Sequence, residues 1–224
     1  HGSGGIDIRA ACRNGARHFQ ADQKGTPAMT LSQALVPSQS LLAKALMIIG
    51  GSAFVALAAQ VEVPMYPVPM TLQTLAVLIV GLSFGARMGA ATLLAYLAEG
   101  AMGLPVFAGG TNGVAFAGPT AGFLVGFVAM AWLAGLAADR GVRGFVPTAL
   151  VALAVSVLLY VPGAAWAMLA DAALGFDATK WGADSFAMIW QYYASPFLIG
   201  DAVKAVIAAL IVTGAWTVLK ARKG

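Results

Sequence analysis

Apolar residues in this chain form six long runs, separated by short segments rich in charge, proline or glycine. The runs cover residues 41–60, 70–84, 88–104, 119–138, 147–169 and 195–219. A helix of about 20 residues crosses the bilayer core of about 30 Å, so runs of this length are typical of transmembrane helices. The pattern predicts an all-α polytopic membrane protein of six transmembrane helices. The second and third runs are short for a straight crossing.

The composition also favours a lipid environment. Of the 224 residues, 60% are apolar and 10% are charged, whereas a soluble domain carries about 25% charged residues. A chain so poor in charge could not cover a surface that faces water. Its 27 glycines suit the close packing of membrane helices.

The basic residues between the runs predict the orientation. With the N-terminus inside the cell, most of them fall on the cytoplasmic side, and the opposite side holds Lys180. The cytoplasmic set is Lys44, Arg87, Arg140, Arg143, Lys220, Arg222 and Lys223. This positive-inside pattern predicts that both termini are cytoplasmic. It also argues against nucleic acid as a partner, despite the net charge of +4.

The first 28 residues differ from the remainder of the chain. They begin with a glycine- and serine-rich stretch, and Met29 opens a sequence that could be the native start. We interpret residues 1–28 as a tag, linker or polar tail, and residues 29–224 as a single six-helix membrane domain.

The chemistry of metal sites and enzymes is poorly represented. His1, His18 and the single cysteine, Cys12, all lie in the tail, and no phosphate-binding Gly-x-x-x-x-Gly-Lys-[Ser/Thr] motif occurs. We therefore expect no metal, no cofactor and no enzymatic activity.

Two predicted external loops are unusual for segments that face water. Residues 61–69 contain three prolines and cannot be helical throughout. Residues 99–118 are rich in glycine, apolar and almost uncharged. Such a loop either folds back over the helices as a lid or rests as a hairpin on the headgroups, and irregular backbone at membrane depth requires surrounding protein or a cavity. We favour the lid.

Asp201 and Lys204 lie within the last apolar run. A charge in a spanning helix costs about 2.5–3.5 kcal/mol, and intramembrane ionisable residues commonly mark a functional site. A spacing of three lets the two side chains pair. The alternatives are a purely structural ion pair or a lysine that reaches towards the headgroups. We favour a pocket for a small polar ligand that enters from the outer side.

Further polar groups could converge on this pair. Gln73 follows the proline run, Asn112 lies in the apolar loop, and Tyr96 and Tyr160 lie in the third and fifth runs. Tyrosines near helix ends are also commonly interfacial anchors, so this convergence is a hypothesis.

The first run carries small residues on one helical face, at Ala45, Ser52, Ala56 and Ala59. Such a smooth face could receive a partner subunit, although the spacing alone does not decide this.

Four motifs together resemble the BioY family. They are PVPMTLQT at 67–74, GAMGLPVFAGG at 100–110, GPTAG at 118–122 and PFLIGDAVK at 196–204. BioY proteins are the biotin-binding S components of energy-coupling-factor (ECF) vitamin transporters. The resemblance implies a six-helix S-component fold in the cell membrane, a loop at 100–118 that covers the ligand, and capture of biotin from outside.

The resemblance also gives the polar residues possible roles. Lys204 would neutralise the biotin carboxylate, Asp201 would accept the ureido N–H groups, and Asn112 would bond to either end. The reverse arrangement, with Lys204 on the ureido carbonyl, stays open. Tyr160 and Phe107 would cover the apolar part of the ligand, and Gln73 and Tyr96 complete the expected site.

The partners that the resemblance implies are a coupling transmembrane protein and two ATP-binding subunits. In the family, alanines four apart on the first helix meet the coupling protein, whereas this chain has Ser52 and Ala56 there. Three alternatives remain: an S component for another vitamin, a pore or self-contained secondary carrier, and an intramembrane enzyme that uses Asp201 as acid or base.

Overall fold

A computed structural model describes residues 29–35, 40–175 and 178–221. The expected tag or tail at 1–28 lies outside the described residues, as do Arg222 and Lys223.

A helix occupies each of the six apolar runs. The helices are α2 (Leu41–Ala59), α3 (Gln73–Phe84), α4 (Ala86–Ala101), α5 (Ala121–Asp139), α6 (Phe145–Leu174) and α8 (Leu198–Ala221). Two short helices, α1 (Leu31–Leu35) and α7 (Phe186–Ile189), lie outside these runs.

Within the described ranges, four helices are long and apolar enough to cross a membrane, namely α2, α5, α6 and α8. Helix α3 has 12 residues and α4 has 16, which correspond to lengths of about 18 and 24 Å. The prediction of membrane-crossing helices is therefore confirmed for four runs, while the other two form helices shorter than the bilayer core.

The proline-rich connection between α2 and α3 is not helical, as predicted. It contains a minimal antiparallel pair of strands, β1 (Glu62–Val63) and β2 (Met70–Thr71), which the all-α prediction omitted. Helix α3 consequently begins at Gln73, and the Gln73 backbone N–H donates to the Thr71 hydroxyl at 3.2 Å.

Helix α5 is the most buried of the four long helices and packs against α3, α4 and α6. Glycines allow the close approach to α6. A Cβ at Gly122 would overlap the carbonyl oxygen of Pro162, and one at Gly126 would lie 2.8 Å from the Pro162 ring. The glycine repeat at the start of this helix therefore serves internal packing.

The two ends of the bundle differ in their connections. At one end, called here the turn end, Gly85 alone joins α3 to α4 and residues 140–144 join α5 to α6. Gly85 has φ +82°, and the Asp139 carboxylate beside it accepts the Ala86 N–H at 3.0 Å. Asp139 thus caps the start of α4.

Longer segments connect the helices at the opposite end, called here the loop end. They are residues 60–72, 102–120 and 175–197. The second, called here the lid segment (102–120), contains 3₁₀ turns at Ala108–Gly110 and Gly113–Ala117. The third includes a π-helical turn at Trp190–Ala194, just before α8.

Candidate functional site

A cavity of about 340 Å³ lies towards the loop end, among α3, α5, α6, α8 and the lid segment. Its size falls within the range of about 300–1,000 Å³ that is usual for small-molecule sites. The cavity is lined by Pro67, Val68, Pro69, Thr71, Gln73, Thr74, Phe107, Ala108, Thr111, Val114, Ala115, Gly118, Pro119, Thr120, Phe123, Leu124, Phe127, Leu159, Tyr160, Phe197, Asp201 and Lys204.

Asp201 and Lys204 form the charged part of this lining. They are 5% and 7% exposed, and the Lys204 Nζ lies 3.0 Å from the Asp201 Oδ1. The pairing predicted from their spacing is confirmed. Because taking two charges out of water is costly, a buried pair of this kind is weak evidence for a stabilising role and leaves a ligand-binding role open.

The Asp201 carboxylate is held by three helices. The Thr74 hydroxyl of α3 donates to its Oδ1 at 3.0 Å, and the Tyr160 hydroxyl of α6 donates to its Oδ2 at 2.7 Å. Lys204 of α8 itself provides the third donor. A carboxylate held by three donors is fixed in orientation, which is what a preformed polar site requires.

Lys204 is less fully engaged than Asp201. Among the described residues, Asp201 is the one hydrogen-bond partner of its Nζ, and an ammonium group has three N–H donors. Lys204 therefore has donors to offer to a molecule in the cavity.

The remaining walls are largely apolar and aromatic. Phe123 and Phe127 lie one turn apart on α5, and Leu159 of α6 and Phe197 of α8 also line the cavity. Phe197, Asp201 and Lys204 recur at intervals of four and three, which places them on one face of the chain that enters α8. The site can thus hold a ligand with a large apolar body and a small polar end.

The structure brings five of the predicted ligand-binding residues together on the cavity: Asp201, Lys204, Gln73, Tyr160 and Phe107.

The other two predicted residues do not line the cavity. The Tyr96 hydroxyl accepts a bond from the Gln73 Nε2 at 2.6 Å and donates to the Val106 carbonyl at 3.0 Å. Asn112 makes bonds within its own segment, to the Val114 N–H and the Gly103 carbonyl. Their direct contact with a ligand stays a prediction, and this structure does not favour it.

Sequence reasoning missed several cavity residues, among them Thr74, Thr120 and Phe197. Phe197 could have been found, since it lies one turn before Asp201 on the same helical face. Thr74 carried no such signal, because its role depends on how α3 is rotated against α8.

The lid segment forms a wall of the cavity. Phe107, Ala108, Thr111, Val114, Ala115, Gly118, Pro119 and Thr120 all line it. Phe107 is only 1% exposed, so the segment folds inwards as favoured above and is not a hairpin resting on the surface.

The predicted docking face on α2 requires a correction. Ser52 and Ala59 are 1% and 0% exposed, and the Ser52 hydroxyl donates to the Glu99 carboxylate at 2.6 Å. Ala56 is half-buried, and Ala45 is exposed. The four residues do not form one exposed face, because small side chains permit close packing inside the bundle as readily as against a partner.

Carboxylate, imidazole and thiol groups are sparse in the interior. Among the described residues, no group of three or more His, Cys, Asp or Glu side chains comes together in a way that could hold a metal ion.

Comparison with known sequences relates the chain to one family. The sequence model of the BioY family matches residues 29–221. The biotin transporter BioY of Rhizobium etli is 42% identical over 154 residues, which cover 65% of this chain and 76% of the relative. For the biotin transporter BioY of Rhodobacter capsulatus, the identity is 39% over 153 residues, covering 65% and 77%. For the probable biotin transporter BioY of Pyrococcus horikoshii, it is 35% over 160 residues, covering 71% and 87%.

A solved structure shares the fold. The crystal structure of the S-component for biotin from an ECF-type ABC transporter matches with a TM-score of 0.62 and 20% sequence identity, covering 84% of this chain and 96% of that one. The fold is therefore of the S-component type.

Proposed function

This chain belongs to the BioY family, and we propose that it is the membrane component that captures biotin from outside the cell for uptake. Its relatives in Rhizobium etli and Rhodobacter capsulatus are named biotin transporters, and its fold is that of an S-component. It is accordingly a multi-pass membrane protein of a transporter family and not an enzyme.

One observation carries the proposal: the apolar cavity ends in the Asp201–Lys204 pair, with N–H donors of Lys204 left to offer. Biotin has a matching distribution of groups. Its fused ring and valeryl chain are mostly apolar, its ureido group has two N–H donors and one carbonyl, and its far end is a carboxylate. Aromatic walls at Phe123 and Phe197 suit the apolar part.

The charges of Asp201 and Lys204 favour the ureido group as the part of biotin that contacts this pair. A ligand carboxylate bonded to Lys204 would also face the carboxylate of Asp201, only 3.0 Å from the lysine nitrogen, and like charges repel. A neutral ureido group can donate to Asp201 and accept from Lys204 at the same time. The ligand carboxylate then points towards the lid segment, where Thr111 and Thr120 line the cavity.

The distribution of charge supports an orientation in which the loop end faces outwards. Lys44, Arg87, Arg140 and Arg143 lie at or near the turn end, as the positive-inside pattern requires of a cytoplasmic end. We extend the proposal to six spans, with α3 and α4 as short crossings and both termini on the cytoplasmic side. The cavity then opens towards the outside.

The energy for transport comes, in this proposal, from partners: a coupling transmembrane protein and two ATP-binding subunits. The S-component fold supports this assignment. On α2, the surface that remains for a partner is the side with exposed Leu42, Leu46 and Ile49, next to Ala45.

The test is a titration of the purified protein in detergent with biotin, thiamine and riboflavin. We expect biotin to bind with a nanomolar Kd, which corresponds to a binding free energy of about −12 kcal/mol. The other vitamins should bind far more weakly. Lys204→Ala should weaken biotin binding more than tenfold. Lys44→Ala, at the start of α2 and away from the cavity, is the matched control and should bind normally. Tight binding of another vitamin, or unchanged binding by Lys204→Ala, would contradict the proposal.

A neutral amide of biotin tests the direction of the ligand. With the ureido group on the pair, Lys204→Ala should weaken biotin and biotinamide by the same factor. If Lys204 instead holds the carboxylate, biotinamide would already bind weakly to the unmodified protein and lose little more in the variant.

A further inference from the structure

Tyr96 is buried at 0% exposure just behind the cavity wall, and it does not line the cavity. Its hydroxyl joins a residue of the cavity wall to the lid segment. It accepts from the side-chain amide of Gln73, which lines the cavity, and it donates to the backbone carbonyl of Val106 in the lid segment.

The residue that follows Val106 is also fixed in place. Phe107 packs edge-on against Tyr96, with ring centroids 5.2 Å apart, and its carbonyl accepts from the Gln60 Nε2 of the α2–α3 connection at 3.1 Å. Its ring occupies a notch on α4 at Gly100, where any Cβ would overlap it. Because Gly100 lies one turn after Tyr96, the notch and the hydroxyl are on the same side of α4.

Gln73 completes the link to the cavity. Its Oε1 accepts from the Thr71 hydroxyl at 3.0 Å, and one N–H of its amide is directed to Tyr96. An amide nitrogen has two N–H donors, so the second can meet a ligand while the first holds Tyr96.

We propose that Tyr96 is a positioning residue that latches the lid segment closed over bound ligand through its bond to Val106. This inference rests on the proposed function, since it assumes that the cavity is where biotin binds. The latch acts after the ligand has entered, so it sets the rate at which ligand leaves and has little effect on the rate at which it arrives. Gln73 makes the latch sensitive to occupancy, because a ligand that fixes the Gln73 amide also fixes the donor to Tyr96.

The test compares Tyr96→Phe with unmodified protein in detergent, using radiolabelled biotin. Dissociation is followed after addition of excess unlabelled biotin, and association is followed separately. We expect the dissociation rate to rise about three- to tenfold, the factor that corresponds to one neutral hydrogen bond, and the association rate to change less than about twofold. Tyr193→Phe is the matched control. It removes another buried tyrosine hydroxyl, which donates to the Trp181 carbonyl at 3.1 Å and does not line the cavity, and its dissociation rate should not change.

A second measurement separates a latch from a general loss of structure. Hydrogen exchange of backbone amides in the lid segment should slow when biotin binds to unmodified protein, and this protection should shrink in Tyr96→Phe but not in Tyr193→Phe. Combining Tyr96→Phe with Gln73→Met should raise the dissociation rate by less than the product of the two single effects.

The failures are distinguishable. If unmodified protein binds no biotin, the proposed function falls, and the latch falls with it. If it binds biotin and Tyr96→Phe dissociates at the normal rate, the latch is wrong while the proposed function stands. An equal rise in both rates would leave the affinity unchanged and show that the Tyr96 bond holds the lid segment closed with or without ligand, which also overturns a latch that acts only after ligand has entered.

Discussion

Replacing Asp201 by asparagine preserves the size of the side chain and removes its charge, which leaves the buried ammonium of Lys204 without a counter-ion. The two groups are 3.0 Å apart and are 5% and 7% exposed. Breaking a buried ion pair by removing one partner costs about 3–5 kcal/mol, because the other charge remains buried and unpaired. Asparagine has one side-chain oxygen, whereas the Thr74 and Tyr160 hydroxyls donate to different oxygens of Asp201, so only one of them keeps its acceptor and the other faces the amide NH2. The effect therefore combines the unpaired charge with one lost hydrogen bond.

The assay is thermal unfolding of ligand-free protein in detergent. We expect Asp201→Asn to lower Tm by roughly 6–20 °C, from about 2–4 °C per kcal/mol for a chain of this size. Adding Lys204→Met should restore much of the loss, since the double variant has no unpaired buried charge. Neither variant should bind biotin tightly. The reasoning is refuted if Asp201→Asn unfolds at the normal temperature, or if the double variant is less stable than both single variants.

Three further substitutions test the packing of the bundle through Tm in detergent. Gly122→Ala should destabilise the protein by about 1–3 kcal/mol, because its Cβ would overlap the backbone of α6. Gly50→Ala is the control, because a Cβ there has no neighbour within 4 Å, and it should be neutral or stabilise the protein by up to about 1 kcal/mol. Equal effects of the two substitutions would contradict the close contact between α5 and α6. Asp139→Ala should cost about 1 kcal/mol by removing the cap of α4, and Asp139→Asn, which retains an acceptor, should cost less. Ser52→Ala should cost about 1 kcal/mol through its lost bond to Glu99, and an unchanged Tm would argue that this bond contributes nothing.

Much of the fold could be predicted from the sequence because lipid imposes a simple rule: long apolar runs become helices. The rule gave the positions of six helices but not their limits. The predicted run from 70 became a helix from Gln73, because Met70 and Thr71 pair with β1. Whether these residues pair as a strand or join the helix depends on tertiary contacts, which a local sequence pattern does not contain.

The site was predictable where local geometry is sufficient and not where it depends on helix rotation. Asp201 and Lys204 are on one helix, so their spacing alone predicts the pair. Tyr96 is on another helix, and its hydroxyl reaches the lid segment instead of the cavity because α4 is turned towards Val106. Ser52 shows the same limit, since small residues on one face do not indicate whether that face meets a partner or the chain itself.

The contrast between the two ends of the bundle has a mechanical consequence. Gly85 alone joins α3 to α4, and α5 passes so close to this turn that a Cβ at Gly135 would overlap Ala86. The irregular segments, including the lid segment, all lie at the opposite end, the loop end. The cavity can therefore open at the loop end by movement of loops, whereas opening at the turn end requires packed helices to separate. In the orientation that we propose, a vitamin that enters through the loop end leaves most easily by the same route, and we expect its release towards the cytoplasm to need work done on this protein by its proposed partners.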